Sequence, residues 1–267
     1  MQKSIFITGA STGLGKETAK LFQSKGWNVI ATMRTPENET ELSKLENVTV
    51  LKLDVTDPIQ IQEVVNQVIA KQSVDVVLNN AGYGLIGPLE ALNDGQIIRQ
   101  INTNLLGVIR VCKAFTPYFR RKRTGSFINV TSMFGLIGYP TCSIYAATKF
   151  AVDGFSECMA YDLAHFGVKV KIIAPGGIQT EFTGRSMDGG QDEAYQELVE
   201  KVSKGYSAEK VSQFSTPESI ANTIYEAATD DKNQLRYIAG SDAIALYEER
   251  LAMGAEAQYR KIQTMFM

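Results

Sequence analysis

The sequence predicts an α/β fold of the doubly wound kind, with a parallel sheet of about seven strands and helices on both faces. Three observations support this prediction. Short runs rich in β-branched residues recur along the 267 residues, and several are apolar nearly throughout, as strands buried on both faces are. Helical patterns lie between most of these runs, which implies right-handed crossovers between parallel strands. No repeat, low-complexity tract or linker divides the sequence, so we predict one domain over residues 1–267.

Seven segments are predicted to form the strands: Ser4–Thr8, Asn28–Met33, Val48–Leu53, Val74–Leu78, Ser126–Thr131, Val168–Ala174 and Leu235–Ala239. The alternation of strand and helix breaks after the sixth of them, between about residues 182 and 215, where glycine, serine and charged residues are frequent. Ligands of open α/β sheets bind at the carboxyl ends of the strands. We therefore expect residues 182–215 to form a lid over a bound ligand.

The helix after the third strand has a clear start and one apolar face. Asp57 is the expected N-cap, Pro58 occupies the first helical position and Gln60 stands at N3, which is a capping-box arrangement. The apolar positions recur at i, i+3, i+4, i+7 and i+8 and are Ile61, Val64, Val65, Val68 and Ile69. This spacing predicts an amphipathic helix packed on the sheet.

A second long helix is predicted between the fourth and fifth strands. Its apolar positions have the same spacing and are Ile101, Leu105, Val108, Cys112 and Phe115. We expect it to end near Pro117 and the basic cluster Arg120–Arg123. Cations are favoured at the carboxyl end of a helix, so this cluster indicates a solvated helix end rather than a nucleic-acid surface.

The composition excludes several classes of protein. With 27 Lys+Arg against 29 Asp+Glu, the chain lacks the basic excess of a nucleic-acid binder. Three cysteines and one histidine, His165, predict neither a disulfide framework nor a metal site. No apolar run reaches the ~18 residues of a membrane helix, and Met1–Ser4 leads straight into a strand with no room for a signal peptide. A soluble cytoplasmic protein is expected.

The turn after the first strand is rich in glycine and leads into a helix that runs to about Lys25. Its sequence is Thr8-Gly9-Ala10-Ser11-Thr12-Gly13-Leu14-Gly15. Glycines here allow a tight turn and a close approach of the backbone to a pyrophosphate, and the helix N-terminus offers free N–H groups and a partial positive charge. Because the turn follows the first strand, it is typical of a Rossmann-like dinucleotide site rather than of a plain tight turn.

The end of the second strand indicates which dinucleotide is bound. An acidic residue there would accept hydrogen bonds from the ribose hydroxyls of NAD. This chain instead has Met33 followed by Arg34, and a guanidinium can bind a 2′-phosphate through two hydrogen bonds. The alternative is that Arg34 is an ordinary surface arginine. We predict a preference for NADP(H) over NAD(H).

Three polar residues near the carboxyl ends of later strands indicate acid–base chemistry. Tyr145 and Lys149 are four residues apart and lie on one face of a predicted helix. A nearby cation favours the phenolate and should lower the pKa of the tyrosine from its usual value of about 10. Ser132 lies 13 residues before Tyr145 (145 − 132), at the end of the fifth predicted strand. A solvated helix pair is the usual reading of Tyr-x-x-x-Lys alone, but Ser132 favours a catalytic site.

These residues resemble the short-chain dehydrogenase/reductase family, in its shorter branch, over nearly the whole chain. Thr8–Gly15 is similar to the family's T-G-x-x-x-G-x-G turn, and Asn79-Asn80-Ala81-Gly82 to its N-N-A-G signature. The other matching motifs are Asn104-Leu105-Leu106-Gly107, Ser132, Tyr145 with Lys149, and Pro175-Gly176 followed by Ile178 and Thr180.

The resemblance implies a catalytic tetrad of Asn104, Ser132, Tyr145 and Lys149. In reduction, Ser132 would bond the substrate carbonyl, Tyr145 would donate the proton, and Lys149 would bind the nicotinamide ribose. Asn104 would hold a water that links Lys149 to solvent. The implied cofactor contacts are Gly9, Ser11, Thr12, Gly13, Leu14, Gly15, Arg34, Asp54, Val55, Asn80, Ala81, Gly82, Tyr145, Lys149, Pro175, Gly176, Ile178 and Thr180. For Asp54, a strand-end turn is an equally good explanation.

The function implied is an NADP(H)-dependent oxidoreductase that transfers a hydride between nicotinamide and a carbonyl/secondary alcohol pair. The alternative is a catalytically silent nucleotide-binding sensor of the same fold. The candidate pocket residues are mainly apolar, and Arg236–Ala243 resembles the hydroxysteroid- and retinol-dehydrogenase-like members, so a small apolar substrate is expected. The pocket candidates are Tyr83, Phe134, Tyr139, Phe182, Met187 and Phe214, and the role of Cys142 stays open.

The family also implies a homodimer or homotetramer, with no nucleic-acid or membrane partner.

Overall fold

A computed structural model describes residues 2–179 and 187–267 and confirms the parallel sheet. Its strands are β1 (Ser4–Thr8), β2 (Asn28–Met33), β3 (Val48–Lys52), β4 (Val76–Asn79), β5 (Gly84–Ile86), β6 (Ser126–Val130), β7 (Lys169–Pro175), β8 (Met187–Gly189) and β9 (Arg236–Ala239). Seven of them form one sheet in the order β3-β2-β1-β4-β6-β7-β9, while β5 and β8 form a separate parallel pair. All pairings in the main sheet are parallel. The chain order reverses between β1 and β4, which places a ligand crevice there.

The helices cover both faces of the main sheet. They are α1 (Gly13–Ser24), α2 (Pro58–Lys71), α3 (Asp94–Ile101), α4 (Gly107–Lys122), α5 (Ser143–Ala164), α6 (Gln196–Lys204), α7 (Ala208–Val211), α8 (Pro217–Thr229), α9 (Ser241–Met253) and α10 (Ala255–Phe266). On one face α1 and α8 bury Phe22 and Ile224 in a common core. On the other, α2, α4 and α5 bury Val65, Phe115 and Val152. No helix in the described part of the chain is long and apolar enough to cross a membrane.

The start of α2 differs from the predicted capping box in one bond. The Asp57 carboxylate accepts hydrogen bonds from the backbone N–H groups of Ile59 and Gln60, and Pro58 is the first helical residue, as predicted. The Gln60 side chain, however, accepts from the backbone N–H of Asp54 rather than from that of Asp57. The turn after β3 places the backbone N–H of Asp54 next to the Gln60 side chain, so this hydrogen bond connects the turn to the first turn of α2.

The predicted helix from Ile101 to Phe115 is longer and less regular than expected. A five-residue π-helical turn, Asn102–Leu106, joins α3 to α4, so the apolar spacing there is not that of one regular helix. Pro117 lies inside α4 rather than at its end. Because proline has no backbone N–H, the helix lacks one hydrogen bond at this position. The helix ends at Lys122, where Arg123 adopts the left-handed conformation with φ +53°.

A buried ion pair joins β7 to the loop before β9, at the opposite end of the strand from Pro175. The Lys171 side chain is 2% exposed, and its Nζ donates to Asp230 Oδ1 at 2.6 Å and to the Tyr237 hydroxyl at 2.8 Å. The Tyr237 hydroxyl donates in turn to Asp230 Oδ2 at 2.7 Å. Burial alone would raise the pKa of Asp230, but the bonds from Lys171 and Tyr237 lower it to about 2.

Replacing Lys171 with methionine is expected to lower the free energy of unfolding by about 3 kcal/mol, because the buried Asp230 carboxylate would lose its nearest cation and keep only the exposed Lys232, 3.7 Å away. The matched control is Lys169→Met, whose partner Asp231 has a side chain that is 95% exposed, and its loss should cost less than about 1 kcal/mol. Urea denaturation of both variants measures the difference. Equal losses would show that the Lys171 pair is not held in a dry environment.

Candidate active site

A single large cleft follows the carboxyl ends of β1, β4, β6 and β7. Its volume is about 2320 Å³, and it extends from the glycine turn after β1 to the segment around α6 and α7. The walls include most of the residues that the sequence analysis selected: Gly9, Ser11, Thr12, Gly13, Leu14, Gly15, Arg34, Asp54, Val55, Asn80, Ala81, Gly82, Ser132, Tyr145, Lys149, Pro175, Gly176 and Ile178. Thr180 and Phe182 lie outside the described residues.

The glycine turn has the backbone that a diphosphate site needs. Gly9 and Gly13 have φ values of +68° and +54°, which residues with a side chain adopt at a cost. A Cβ on Gly15 would lie 2.3 Å from the carbonyl oxygen of Gly9, so only glycine allows α1 to start so close to the turn. No side chain caps the α1 N-terminus, and its first turn has no acidic residue. The unpaired N–H groups and the helix dipole therefore fit an anionic group.

The end of β4 closes over this turn. The Thr8 hydroxyl accepts hydrogen bonds from the N–H groups of Asn80 at 3.0 Å and Ala81 at 3.1 Å. The side-chain Nδ2 of Asn80 donates to the carbonyl oxygens of Thr8 and Gly9 at 3.1 and 3.0 Å. Ala81 packs so closely that a Cβ on Gly9 would lie 2.7 Å from its Cα. These contacts fix the glycine turn against the neighbouring strand.

The adenosine end of the cleft contains Arg34 and Asp54. Arg34 follows β2 and is exposed at the cleft wall. Met33 also borders the cleft, but it is only 3% exposed and packs mainly in the core. Asp54 also lines the cleft, but its Oδ1 accepts from the N–H and hydroxyl of Thr56 at 2.9 and 2.7 Å. Asp54 therefore shapes the strand-end turn, as the alternative explanation for this residue stated, and still borders the cleft.

Ser132, Tyr145 and Lys149 meet at the floor of the cleft. Lys149 is buried, and its Nζ donates to the carbonyl oxygen of Val130 at 3.0 Å and lies 5.7 Å from the centre of the Tyr145 ring. The Ser132 side chain is near enough to the Tyr145 hydroxyl to lower its pKa, and the Ser132 hydroxyl oxygen accepts from the N–H of Phe134 at 3.2 Å. The exposed fractions of the three residues are only 7–8%, so their polar groups face the cleft and each other rather than bulk water.

Burial decides the protonation of the tyrosine and lysine in this structure. It raises the pKa of Tyr145 to about 12, and the nearby Ser132 side chain lowers that pKa by a smaller amount. It also lowers the pKa of Lys149 to about 8. The prediction that Lys149 would bring the pKa of Tyr145 below its usual value is therefore wrong for the protein alone. The Lys149 Nζ donates to the Val130 carbonyl, and desolvation of the phenolate is the largest cause of the raised pKa of Tyr145.

Asn104 lies one layer behind the cleft, in the π-helical turn. Its Oδ1 accepts from the N–H of Tyr83 at 3.0 Å, and its Nδ2 donates to the carbonyl of Tyr83 at 2.8 Å. Gly82 separates it from the lysine, since a Cβ there would lie 3.1 Å from Asn104 Oδ1 and 3.8 Å from Lys149 Nζ. Asn104 is 1% exposed. It therefore fixes the backbone between β4 and β5 beside the lysine.

The other end of the cleft is apolar and aromatic. Phe134 lines this end. Tyr139, predicted as a pocket residue, is not part of the wall but stacks on Phe134 with ring centres 5.0 Å apart, and Phe266 of α10 packs edge-on against Tyr139 at 5.3 Å. Cys142 is 2% exposed, and burial raises the pKa of its thiol to about 12, so it is a small apolar wall residue rather than a nucleophile. Further wall residues here are Tyr83, Ile86, Met187, Val199, Val202, Tyr206 and Phe214.

Sequence reasoning missed several residues that build this site. The Val130 carbonyl that holds Lys149 is a backbone atom and has no sequence signature. Gly135 lets the short 3₁₀ turn Met133–Gly135 contact α5, since a Cβ on Gly135 would lie 3.0 Å from the carbonyl of Lys149. The sequence shows this glycine but not the residue against which it packs. Tyr206 packs edge-on against Phe214 at 6.1 Å, and it lay in a segment without periodicity.

Comparison with known proteins identifies the family of the chain. A family model described as short chain dehydrogenase matches residues 3–191. The chain is 37% identical to "Oxidoreductase BOA17" of Botryotinia fuckeliana over 249 residues, which covers 91% of each chain. It is 41% identical to the 3-ketodihydrosphingosine reductase of Bacteroides thetaiotaomicron, over 67% of this chain and 65% of that one. Retinol dehydrogenase 8 of Bos taurus is 35% identical, over 70% of this chain and 62% of its own.

Solved structures give the same result. A short-chain dehydrogenase from Streptomyces avermitilis has 29% sequence identity and a TM-score of 0.85, with 98% of this chain and 96% of that chain covered. The structure titled "ElxO with NADP Bound" has 30% identity and a TM-score of 0.75, over 89% of this chain and 98% of that one. With a Rossmann-like sheet, a dinucleotide turn and these relatives, the chain belongs to the short-chain dehydrogenase/reductase family of nicotinamide-dependent oxidoreductases.

Proposed function

We propose that this oxidoreductase uses NADP(H) to interconvert a carbonyl compound and its alcohol, with Tyr145 as the acid–base residue. The observation that carries the proposal is the burial of Ser132, Tyr145 and Lys149 together at the floor of one cleft, 7–8% exposed. The same cleft begins at the glycine turn that fits a diphosphate. A dinucleotide bound there would therefore reach both the phosphate site and the three polar residues.

Each of these residues has a distinct part in the proposed reduction. A bound nicotinamide supplies the hydride that the carbonyl carbon accepts. Tyr145 donates its phenolic proton to the carbonyl oxygen. Ser132 donates a hydrogen bond to the same oxygen and stabilises the charge that develops on it. Lys149 holds the nicotinamide ribose hydroxyls, and its charge stabilises the phenolate that remains on Tyr145.

Asn104 is proposed to keep a water near Lys149 so that a proton can return to Tyr145 from solvent. Its side-chain atoms already bond the backbone of Tyr83. A π-helical turn breaks the usual i to i+4 pairing of the backbone, so we place the water on a main-chain carbonyl of the turn Asn102–Leu106. The side chain of Asn104 then acts by holding this turn in place.

Arg34 is proposed to favour NADPH by pairing with its 2′-phosphate. Replacing Arg34 with alanine is expected to weaken NADPH binding about 10- to 100-fold and leave NADH nearly unchanged, because a charge-assisted bond contributes about 1.5–3 kcal/mol. Met33 is a poor second site for mutation, since it is buried and an aspartate there would cost stability. Titration of both cofactors by protein fluorescence measures the dissociation constants.

The control for Arg34 is Arg121→Ala, an exposed arginine at the end of α4. It should bind both cofactors like the wild-type protein. Equal NADPH and NADH constants in the wild type, or an Arg34→Ala protein with unchanged NADPH affinity, would contradict the proposed preference.

The pKa of Lys149, lowered by burial to about 8, predicts how reduction depends on pH. Lys149 carries its charge below this value and loses it above, whereas Tyr145, with a pKa of about 12, keeps its proton throughout. We therefore expect kcat/KM for NADPH, which reports the groups of the free protein, to fall as the pH rises through about 8. A kcat/KM profile that shows no fall between about pH 7 and pH 10 would contradict a role for the lysine charge.

The proposed substrate is a neutral, apolar ketone or aldehyde. The cleft beyond Tyr145 is lined mainly by aromatic and aliphatic side chains, with uncharged polar residues such as Thr141 and Ser203 among them, and its charged residues Arg99 and Asp188 pair with each other at 3.2 Å. A charged substrate would find no partner there among the described residues. The relatives named for 3-ketodihydrosphingosine and for retinol support a long apolar substrate.

Residues 187–215 are proposed to be the lid of one domain that includes the whole chain. At its start, Asp188 accepts from Gln96 at 2.8 Å and pairs with Arg99. At its end, Ser215 forms a bridge with Ile178. Between these anchors Val202 is the buried residue of α6, so the middle of the segment has little core of its own. The expected lid began at residue 182, and 182–186 lie outside the described residues.

A homodimer or homotetramer is proposed through α4 and α5. On α5, Phe150 and Tyr161 are 42% and 72% exposed, Cys158 is exposed, and nothing lies within 4 Å of a Cβ built on Gly154. These four residues share one face of the helix. Two-fold packing of such faces is a common route to a dimer. Light scattering that reports a 29.3 kDa species at micromolar concentration would overturn this proposal.

The oxidoreductase proposal is tested by mixing the protein with NADPH and a panel of apolar ketones and aldehydes. Consumption of NADPH, followed by its absorbance, is expected with at least one of them. The alternative, a nucleotide-binding sensor without turnover, would bind NADPH but consume none over the whole panel. The buried Tyr145–Lys149 pair favours the enzyme, because a sensor has no use for a tyrosine and a lysine held together in a dry site.

A further inference from the structure

We infer that Asp242 is a positioning residue that fixes the backbone Gly176–Ile178, and through it the nicotinamide end of the cofactor site. Asp242 lies in the first turn of α9, within the stretch Arg236–Ala243 that the sequence analysis noted without assigning a role to any of its residues. The inference rests on the proposed function, which assigns Gly176 and Ile178 to cofactor binding.

The Asp242 carboxylate occupies a space that glycines leave open. Its Oδ2 accepts a hydrogen bond from the N–H of Gly177 at 2.7 Å. A Cβ on Gly176 would lie 2.1 Å from its Oδ1, and a Cβ on Gly240, whose φ is +100°, would lie 2.9 Å from the same atom. Both glycines are therefore required for the carboxylate to reach the Gly177 amide.

The same backbone is held from the opposite side by the end of the proposed lid. Ser215 donates its N–H to the carbonyl of Gly177 at 3.2 Å and accepts from the N–H of Gln179 at 2.9 Å. The Phe214 ring packs against Gly177, where a Cβ would lie 2.5 Å from the ring. In this parallel bridge, the N–H and carbonyl of Ile178 point away from Ser215. Ile178 lines the cleft, so its peptide groups are available on the cofactor side.

The physical need for Asp242 follows from the two adjacent glycines. Glycine has more backbone freedom than any other residue type, so ordering Gly176 and Gly177 costs more conformational entropy than ordering two other residues. Gly176 donates to the carbonyl of Ala239 at 2.9 Å, but the next amide depends on Asp242 alone. A bond to a carboxylate is shorter and stronger than one to a neutral oxygen. Asp242 thus selects the conformation in which Ile178 faces the cofactor.

The test compares Asp242→Ala with Asp242→Asn and uses two probes, NADPH and 2′-phospho-ADP-ribose. The second probe lacks the nicotinamide but keeps the adenosine, the 2′-phosphate, the diphosphate and the second ribose. We expect Asp242→Ala to bind NADPH about tenfold more weakly, because a charge-assisted bond is lost, and to bind 2′-phospho-ADP-ribose as the wild type does. Asp242→Asn keeps an acceptor for the Gly177 amide and should restore most of the NADPH affinity. A general structural defect would weaken both probes.

Gly176→Ala provides a second variant that leaves Asp242 in place. The added methyl falls on the carboxylate and should displace it, with the same selective loss of NADPH affinity. Glu248→Ala, an exposed residue of α9, is the matched control and should bind both probes normally. The inference is overturned if Asp242→Ala binds NADPH normally, if Asp242→Asn is as weak as Asp242→Ala, or if both probes weaken together. The inference is also overturned if the wild-type protein binds NADPH no more tightly than 2′-phospho-ADP-ribose. A wild-type protein that binds neither probe would contradict the proposed function itself.

Discussion

Replacing Tyr145 with phenylalanine is expected to lower kcat by about 10²–10⁴-fold, the usual contribution of a general acid. NADPH binding should stay nearly intact. The reason is that only the hydroxyl is removed. The ring packs with Phe134, Cys142 and Ala146, and phenylalanine keeps that packing, so the loss falls on the transition state. Steady-state kinetics and a fluorescence titration with NADPH separate the two effects.

Tyr161→Phe is the matched control for this variant. Tyr161 lies on the same helix, is 72% exposed and donates its hydroxyl to Glu157 at 3.1 Å. Its removal should leave kcat unchanged. If Tyr145→Phe kept most of the wild-type kcat on a true substrate, the proton would have to come from another group, and the proposed acid–base role would be wrong.

Lys149→Met is expected to lower kcat by about 10²–10³-fold, a loss typical of one electrostatic contact to the reacting group. It should also weaken NADPH binding about tenfold, or 1.4 kcal/mol, because Lys149 is proposed to hold the nicotinamide ribose. Methionine keeps much of the buried stem volume, so the cavity cost is small. This combined loss distinguishes the lysine from Tyr145, which affects kcat alone.

An exposed lysine tests whether any loss of positive charge has this effect. Lys71→Met, at the end of α2, should change neither kcat nor NADPH affinity. If Lys149→Met bound NADPH normally and lost only kcat, the proposed contact of Lys149 with the nicotinamide ribose would be wrong. If Lys149→Met had a normal kcat, Lys149 would have no part in the reaction.

The strands of the main sheet could be predicted to within two residues from the sequence alone. β1 and β2 match their predicted bounds, because buried parallel strands are apolar on both faces and end at turn residues. β5 and β8 were not predicted, since three-residue strands are too short for a periodicity to appear. The π-helical turn at Asn104 was also missed, because its residues fit a regular helical spacing.

The site was predictable as a set of residues but not as a set of contacts. The spacing of Tyr145 and Lys149 places them on one helix face, and the strand end brings Ser132 to them. Their protonation could not be read in the same way, since burial depends on the whole fold and outweighs the effect of one charge. The Asp242–Gly177 bond joins residues 65 positions apart, and neither residue has a pattern that indicates the other.

The most direct test of the account is to follow the hydride itself. NADPH that carries deuterium at both C4 positions of the nicotinamide is incubated with the wild-type protein and the ketone or aldehyde that consumes NADPH fastest. We expect mass spectrometry to find an alcohol with deuterium on the former carbonyl carbon, and almost none with Tyr145→Phe. An alcohol without deuterium, or no alcohol while NADPH is bound tightly, would contradict hydride transfer in this cleft.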